Sequence, residues 1–173
     1  VNLIEQSFKP EALHEYTDAM GKALYWRLRL KNEKTGEKWI RPMKFDGKNF
    51  VLGEPSFGNK KPLYRLYDLF SRPDEPVIVC EGEWCADALV KIGILAITSG
   101  SADSAEKADW SPLAGRDVMI WPDHDDAGQR YAKATISMLQ PLKCKIGIIN
   151  IEALNLPPKG DAVDWLVAHP EAS

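Results

Sequence analysis

Residues 121–132 read Trp121-Pro122-Asp123-His124-Asp125-Asp126-Ala127-Gly128-Gln129-Arg130-Tyr131-Ala132 and directly follow the apolar run Val118-Met119-Ile120. An apolar run that gives way to a carboxylate cluster and then to a helical pattern reads as a buried strand ending in a functional loop. Three carboxylates, Asp123, Asp125 and Asp126, fall within four positions. Like charges that close raise one another's pKa values unless a cation lies between them. Alternation turns Asp123 and Asp125 to one side of a short extended loop. Asp126 is left to cap the following helix, whose N-terminus favours negative charge. Gly128 permits close packing at that helix start, and His124 reads as an exposed loop residue.

Working outward, Val77-Ile78-Val79-Cys80 is a continuous apolar run of the kind found in strands buried on both faces. It leads into Glu81-Gly82-Glu83 and a helical stretch from Glu83 to Ile92, ended by Gly93. Strands are expected over 94–97, 117–121 and 145–149, and a long helix over 126–139, stopped by Pro141. Asp161 is placed to cap a short helix over 162–168, before Pro170. Alternating strands and helices of these lengths predict a parallel sheet with helices on both faces. Right-handed crossovers then bring the loops after the strands to one edge. Three acidic clusters meet there: Glu81 with Glu83, Asp123 with Asp125, and the segment Lys159-Gly160-Asp161-Ala162-Val163-Asp164. All-oxygen ligands favour a hard cation, Mg²⁺, with Mn²⁺ as a substitute. An EF-hand beginning at Asp123 fails, because its fifth and twelfth positions are Ala127 and Ala134. A salt-bridged structural turn is the alternative reading of the same acids.

The preceding half differs in charge. From Lys22 to Arg65 twelve basic residues face four acids, a balance of +8, whereas from Pro76 onward eight bases face fourteen acids, a balance of −6. A basic half joined to an acidic half suits a polyanion on one and a metal on the other. The stretch to Tyr16 reads as weakly helical, and residues 16–53 as an antiparallel meander, with Asp46-Gly47 as a two-residue hairpin signal. The expected organisation is therefore a β-rich basic subdomain over 1–75 and an α/β domain over 76–173. Cys80, Cys85 and Cys144 have no zinc-ligand spacing, which fits a reduced, cytoplasmic protein. No apolar run is long enough to cross a membrane.

In this order, the strand-plus-Glu-Gly (77–82) and the Asp-x-Asp-x-x-Gly (123–128) resemble the TOPRIM domain of bacterial-type primases, topoisomerases and some nucleases. Within that family the chain is most similar to the primases of phages and plasmids, including primase-helicase fusions. The similarity lies in Glu81-Gly82-Glu83-Trp84-Cys85-Ala86-Asp87-Ala88-Leu89, in the lead-in Leu63-Tyr64-Arg65-Leu66-Tyr67-Asp68-Leu69, and in Lys159-Gly160-Asp161 before Asp164. One departure stands out: many relatives carry an acid four residues after the motif glutamate, where this chain has Cys85.

The resemblance implies Mg²⁺-dependent synthesis of RNA primers on single-stranded DNA from nucleoside triphosphates. It implies Glu81, Asp123 and Asp125 as catalytic residues, Asp123 and Asp125 as principal metal ligands, Glu81 as general base or a further ligand, and Asp161 and Asp164 as further ligands. Lys159, and the loop containing Ser99 and Gly100, are candidates for nucleotide phosphates. Arg27, Arg29, Arg41, Lys44, Lys60 and Lys61 are candidates for template phosphates, with Trp26 and Trp39 as stacking surfaces or core. A replicative helicase is the expected partner, and a chain starting at Val1 with no zinc-binding module is expected to be a piece of a larger protein. Two alternatives use the same residues: a metal-dependent nuclease, and a non-catalytic nucleic-acid- or nucleotide-binding module.

Overall fold

The computed structural model describes residues 7–58 and 60–172. The chain forms two compact units, Val1–Phe57 and Gly58–Ser173. Among the described residues, no helix is long and apolar enough to cross a membrane.

The first unit is an antiparallel meander of β1 (Phe8–Thr17), β2 (Ala23–Asn32), β3 (Lys38–Phe45) and β4 (Phe50–Leu52), paired in chain order. The weak helix expected up to Tyr16 is instead β1. Its residues have mixed propensity, and pairing along β2 from Phe8↔Asn32 to Thr17↔Ala23 decides the outcome. The Asp46-Gly47 turn is in place, but as a four-residue connection closed by Phe45↔Phe50. There Asp46 Oδ1 accepts from the N–H groups of Lys48 and Asn49, at 2.8 Å each, and Gly47 takes φ +99°. One face buries His14, Tyr16 and Tyr25, with Tyr16 and Tyr25 stacked at 4.4 Å.

The second unit holds the parallel sheet: β5 (Val77–Cys80), β6 (Ala96–Ile97), β7 (Asp117–Trp121) and β8 (Lys145–Ile148), in the order β6-β5-β7-β8. Four helices accompany it: α1 (Leu66–Ser71), α2 (Glu83–Lys91), α3 (Asp126–Leu139) and α4 (Ala162–Ala168). Helix α2 packs against α4, and α3 packs against short turns at 105–107 and 140–142. Because β6 and β8 lie on opposite sides of the β5–β7 pair, right-handed crossovers put α2 and α3 on opposite faces. The core runs through Val77, Val79, Ile97, Val118, Ile120 and Tyr131.

Residues 60–75, read from sequence with the basic half, pack in this second unit. Leu63, Tyr64 and Leu69 are buried there, and Tyr64 bridges to Thr98 at the end of β6. Arg65, at φ +62°, is clamped by Asp87 and Asp68 at 2.8 and 2.6 Å. That clamp fixes the lead-in segment against α2.

Candidate active site

Strands β5 and β7 pair directly, Cys80 opposite Trp121. Glu81 and Asp123 therefore leave neighbouring strands at the point where the crossover direction reverses. In open α/β sheets that crevice is where ligands bind.

Glu81 is half-buried, and its Oε2 is enclosed with no hydrogen-bond partner among the described residues. Burial raises its pKa, the nearby Asp125 and Asp103 charges raise it further, and Arg130 opposes them. Its backbone is fixed by Thr98, at the start of the loop containing Ser99 and Gly100. The fully buried Thr98 hydroxyl donates to Glu81 O at 3.0 Å and accepts from the Gly100 N–H at 3.0 Å.

Asp123 is held by close packing. A Cβ on Gly128 would lie 2.2 Å from Asp123 O and 2.7 Å from its N, so the first turn of α3 rests on the Asp123 backbone. The helix cap is Asp125, not Asp126: Asp125 is extended, at φ −153°, and its Oδ1 accepts from the Gly128 N–H at 2.8 Å. Asp126 is an exposed first-turn residue of α3. One oxygen of Asp125 is thus committed to the helix.

The third cluster is joined to the second by backbone pairing. His124 N–H donates to Gly160 O at 2.8 Å, and Lys159 N–H donates to His124 O at 2.9 Å. His124, expected as an exposed loop residue, is half-buried. Its Nδ1–H donates to Leu156 O at 2.9 Å and Pro157 O at 3.1 Å. Asp161 begins α4 in a capping box: its Oδ1 accepts from the Val163 and Asp164 N–H groups, while Asp164 Oδ2 accepts from the Asp161 N–H. Asp164 is exposed and serves that cap.

Cys85 is buried on the side of α2 that faces this edge. Burial, the Cys80 thiol and the charges of Asp161 and Asp123 push its pKa far up, and its thiol hydrogen-bonds Asp161. Asp87 does not stand in for the missing acid, since it pairs with Arg65 and Tyr64. Glu83 is buried in the first turn of α2.

The structure therefore brings Glu81, Asp123, Asp125 and Asp161 to one edge, with Lys159 exposed beside them. Among the described residues, no three His, Cys, Asp or Glu side chains enclose an ion unaided. Ser99 and Gly100 are buried, and their amides are already used. Ser99 N–H donates to Tyr131 Oη at 3.4 Å, and Gly100 N–H to Thr98 Oγ1.

The basic candidates are scattered. Arg27, Arg29 and Lys44 share the His14–Tyr25 face of the meander, where Arg29 is ion-paired with Glu11 at 2.5 Å. Arg41 lies on the opposite face with Trp26, Trp39 and Met43. Its guanidinium sits over Trp39, 5.4 Å from the ring centre. On that face Phe50 contacts both Trp26 and Phe45, at 5.2 and 5.3 Å, and Phe45 and Phe50 are more than half exposed. Lys60 and Lys61 belong to the second unit. Lys60 Nζ donates to Glu106 O at 2.9 Å, and Lys61 is half-buried, its backbone paired with 107–109.

No protein-family model and no curated protein matches the chain in sequence. Solved structures similar in fold include two primase fragments. One is the primase fragment of the bacteriophage T7 primase-helicase protein, with TM-score 0.56 and 16% identity over 92% of this chain and 59% of that one. The other is the DnaG catalytic core, with TM-score 0.56 and 20% identity over 92% of this chain and 49% of that one. The chain thus spans about half to three-fifths of the solved chains it matches. Its fold, an antiparallel β subdomain followed by a TOPRIM-like parallel sheet, is that of primase catalytic fragments.

Proposed function

We propose that this chain is a DNA primase catalytic core, making RNA primers on single-stranded DNA from nucleoside triphosphates. The observation that carries this reading is Glu81. A carboxylate whose buried oxygen has no partner among the described residues, set at the switch point beside Asp123 and Asp125, is costly unless something positive meets it. The fold of primase catalytic fragments supports the same reading.

An all-oxygen, open set of acids fits Mg²⁺, which takes one or two carboxylates and completes its shell with water and substrate phosphates. Glu81, Asp123 and the uncapped oxygen of Asp125 would hold it, with Asp161 alongside and Asp164 supporting Asp161. Bound Mg²⁺, or Mn²⁺ in its place, supplies acidity to the attacking hydroxyl and offsets charge on the departing pyrophosphate. The primer's 3′-oxygen bonds to the α-phosphorus as the bond to the β-phosphate oxygen breaks. Glu81 takes the hydroxyl proton. On the meander, the face carrying Trp26, Trp39, Arg41, Phe45 and Phe50 suits unpaired bases, by stacking and cation–π contact. A replicative helicase, fused or separate, is the proposed partner.

The test is one gel. Single-stranded DNA, four ribonucleotides with one labelled, and Mg²⁺ or Mn²⁺ are incubated with wild type and with Asp123→Asn. Labelled oligonucleotides from wild type alone are the expected result. Shortening of the template without incorporation would assign hydrolysis in place of polymerisation.

A further inference from the structure

A cleft of about 430 Å³ lies between the 102–107 segment and α3, within the second unit. Its charged lining is Asp103, Glu106, Lys107 and Arg130, and Ala105 and Ala134 supply apolar wall. The volume is within the range of small-ligand sites, roughly 300–1,000 Å³. Arg130 and Asp103 both act electrostatically on Glu81, so the cleft adjoins the acidic edge. Lys60, bonded to Glu106 O, adds a third cation against the same turn.

The four charges are not internally paired: among the described residues no ion pair links Arg130 or Lys107 to Asp103 or Glu106. A cleft with separate cations and acids next to a cluster of carboxylates is poorly suited to a bare anion, which the acids would repel. It suits a polyphosphate that arrives with its own divalent cation, since that ligand presents both signs. Apolar wall at Ala105 and Ala134 leaves room for an uncharged part of the same molecule. The Ser99 and Gly100 amides are bonded internally and do not line the cleft, so phosphate recognition there falls to side chains.

We infer that this cleft receives the triphosphate of the incoming nucleotide, with Arg130 and Lys107 as its phosphate contacts. The inference rests on the primase reading for the identity of the ligand, and it adds two residues that neither the motifs nor the charge run singled out.

The test is calorimetric binding of ATP with Mg²⁺ to wild type, to the double variant Arg130→Gln/Lys107→Gln, and to Lys91→Ala at the far end of α2 as a control. Inorganic tripolyphosphate serves as competitor. Both substituted residues are exposed, and thermal melting checks that the variants fold. The expected result is about tenfold or greater loss of ATP affinity in the double variant, an unchanged control, and displacement of ATP by tripolyphosphate. ATP binding equal to wild type in the double variant, or no binding by wild type, overturns the inference. Primer synthesis separates the two readings. Primers made with an unchanged KM for ATP in the double variant sink the cleft alone. ATP held through Arg130 and Lys107 by a protein that makes no primers sinks the polymerase alone.

Discussion

The two sheets use their sequences in opposite ways. In the parallel sheet, residues as distant as Glu81, Asp123 and Asp161 reach one edge because every strand ends there. In the antiparallel meander, neighbours in sequence stay neighbours in space but alternate between faces. Its basic run is accordingly divided: Arg27, Arg29 and Lys44 fall on one side and Arg41 on the other. A parallel sheet gathers chemistry from far along the chain, whereas a meander disperses what the sequence concentrates.

The strongest challenge to that contrast is Glu81→Gln, which should lower primer synthesis roughly 10²- to 10⁴-fold with the fold retained. An equal loss from Arg41→Ala would break it. Next is Gly128→Ala. Its Cβ has no space against Asp123, so denaturant unfolding should show a loss of about 3 kcal/mol. Gly47→Ala, in open space but at positive φ, should cost about 1 kcal/mol. His124→Ala removes the imidazole link to the 156–157 carbonyls and should raise the Mg²⁺ concentration needed for half-maximal synthesis about tenfold, leaving DNA affinity alone.

On the meander, Arg41→Ala should weaken single-stranded DNA binding about threefold in a fluorescence titration. Arg29→Ala, which breaks a pair with Glu11, should lower stability without changing that affinity. The smallest effect concerns pH. Burial and the charges of Asp125 and Asp103 raise the Glu81 pKa, so wild type loses stability as pH rises through that raised value. Glu81→Gln should therefore melt above wild type at pH 7, and the gap should close on acidification below the ordinary glutamate range, about 4.3.

Much of the parallel unit was legible because its elements begin and end on strong local signals. Strand β7, α3 and α4 fall at the residues expected from the apolar run before Pro122, the stop at Pro141, and Asp161 ahead of Pro170. Strand β1 was not legible: Glu11, Ala12 and Leu13 are tolerable helix formers, and only pairing with β2 extends them. The choice of cap between Asp125 and Asp126 turned on backbone geometry that two adjacent aspartates do not disclose. The bonds made by His124 and Thr98 were not legible for another reason. Their partners, Leu156 and Glu81, lie 32 and 17 residues away and are backbone carbonyls, which leave no residue-type signature. Nothing in the sequence sets Arg130 apart, since its effect on Glu81 comes from the folded arrangement.

Asp125 has two employers. One oxygen closes the first turn of α3, so only the other is left to face the crevice. Replacement can dismiss one employer and keep the other. Asparagine caps a helix as well as aspartate does but brings no charge. Serine also caps, but offers no second oxygen at all. An enzyme silenced by either change while α3 stays intact would show that the crevice, not the helix, dictates an acid at this position. Glutamate, longer by one methylene, would pose the converse case of charge retained and cap forfeited.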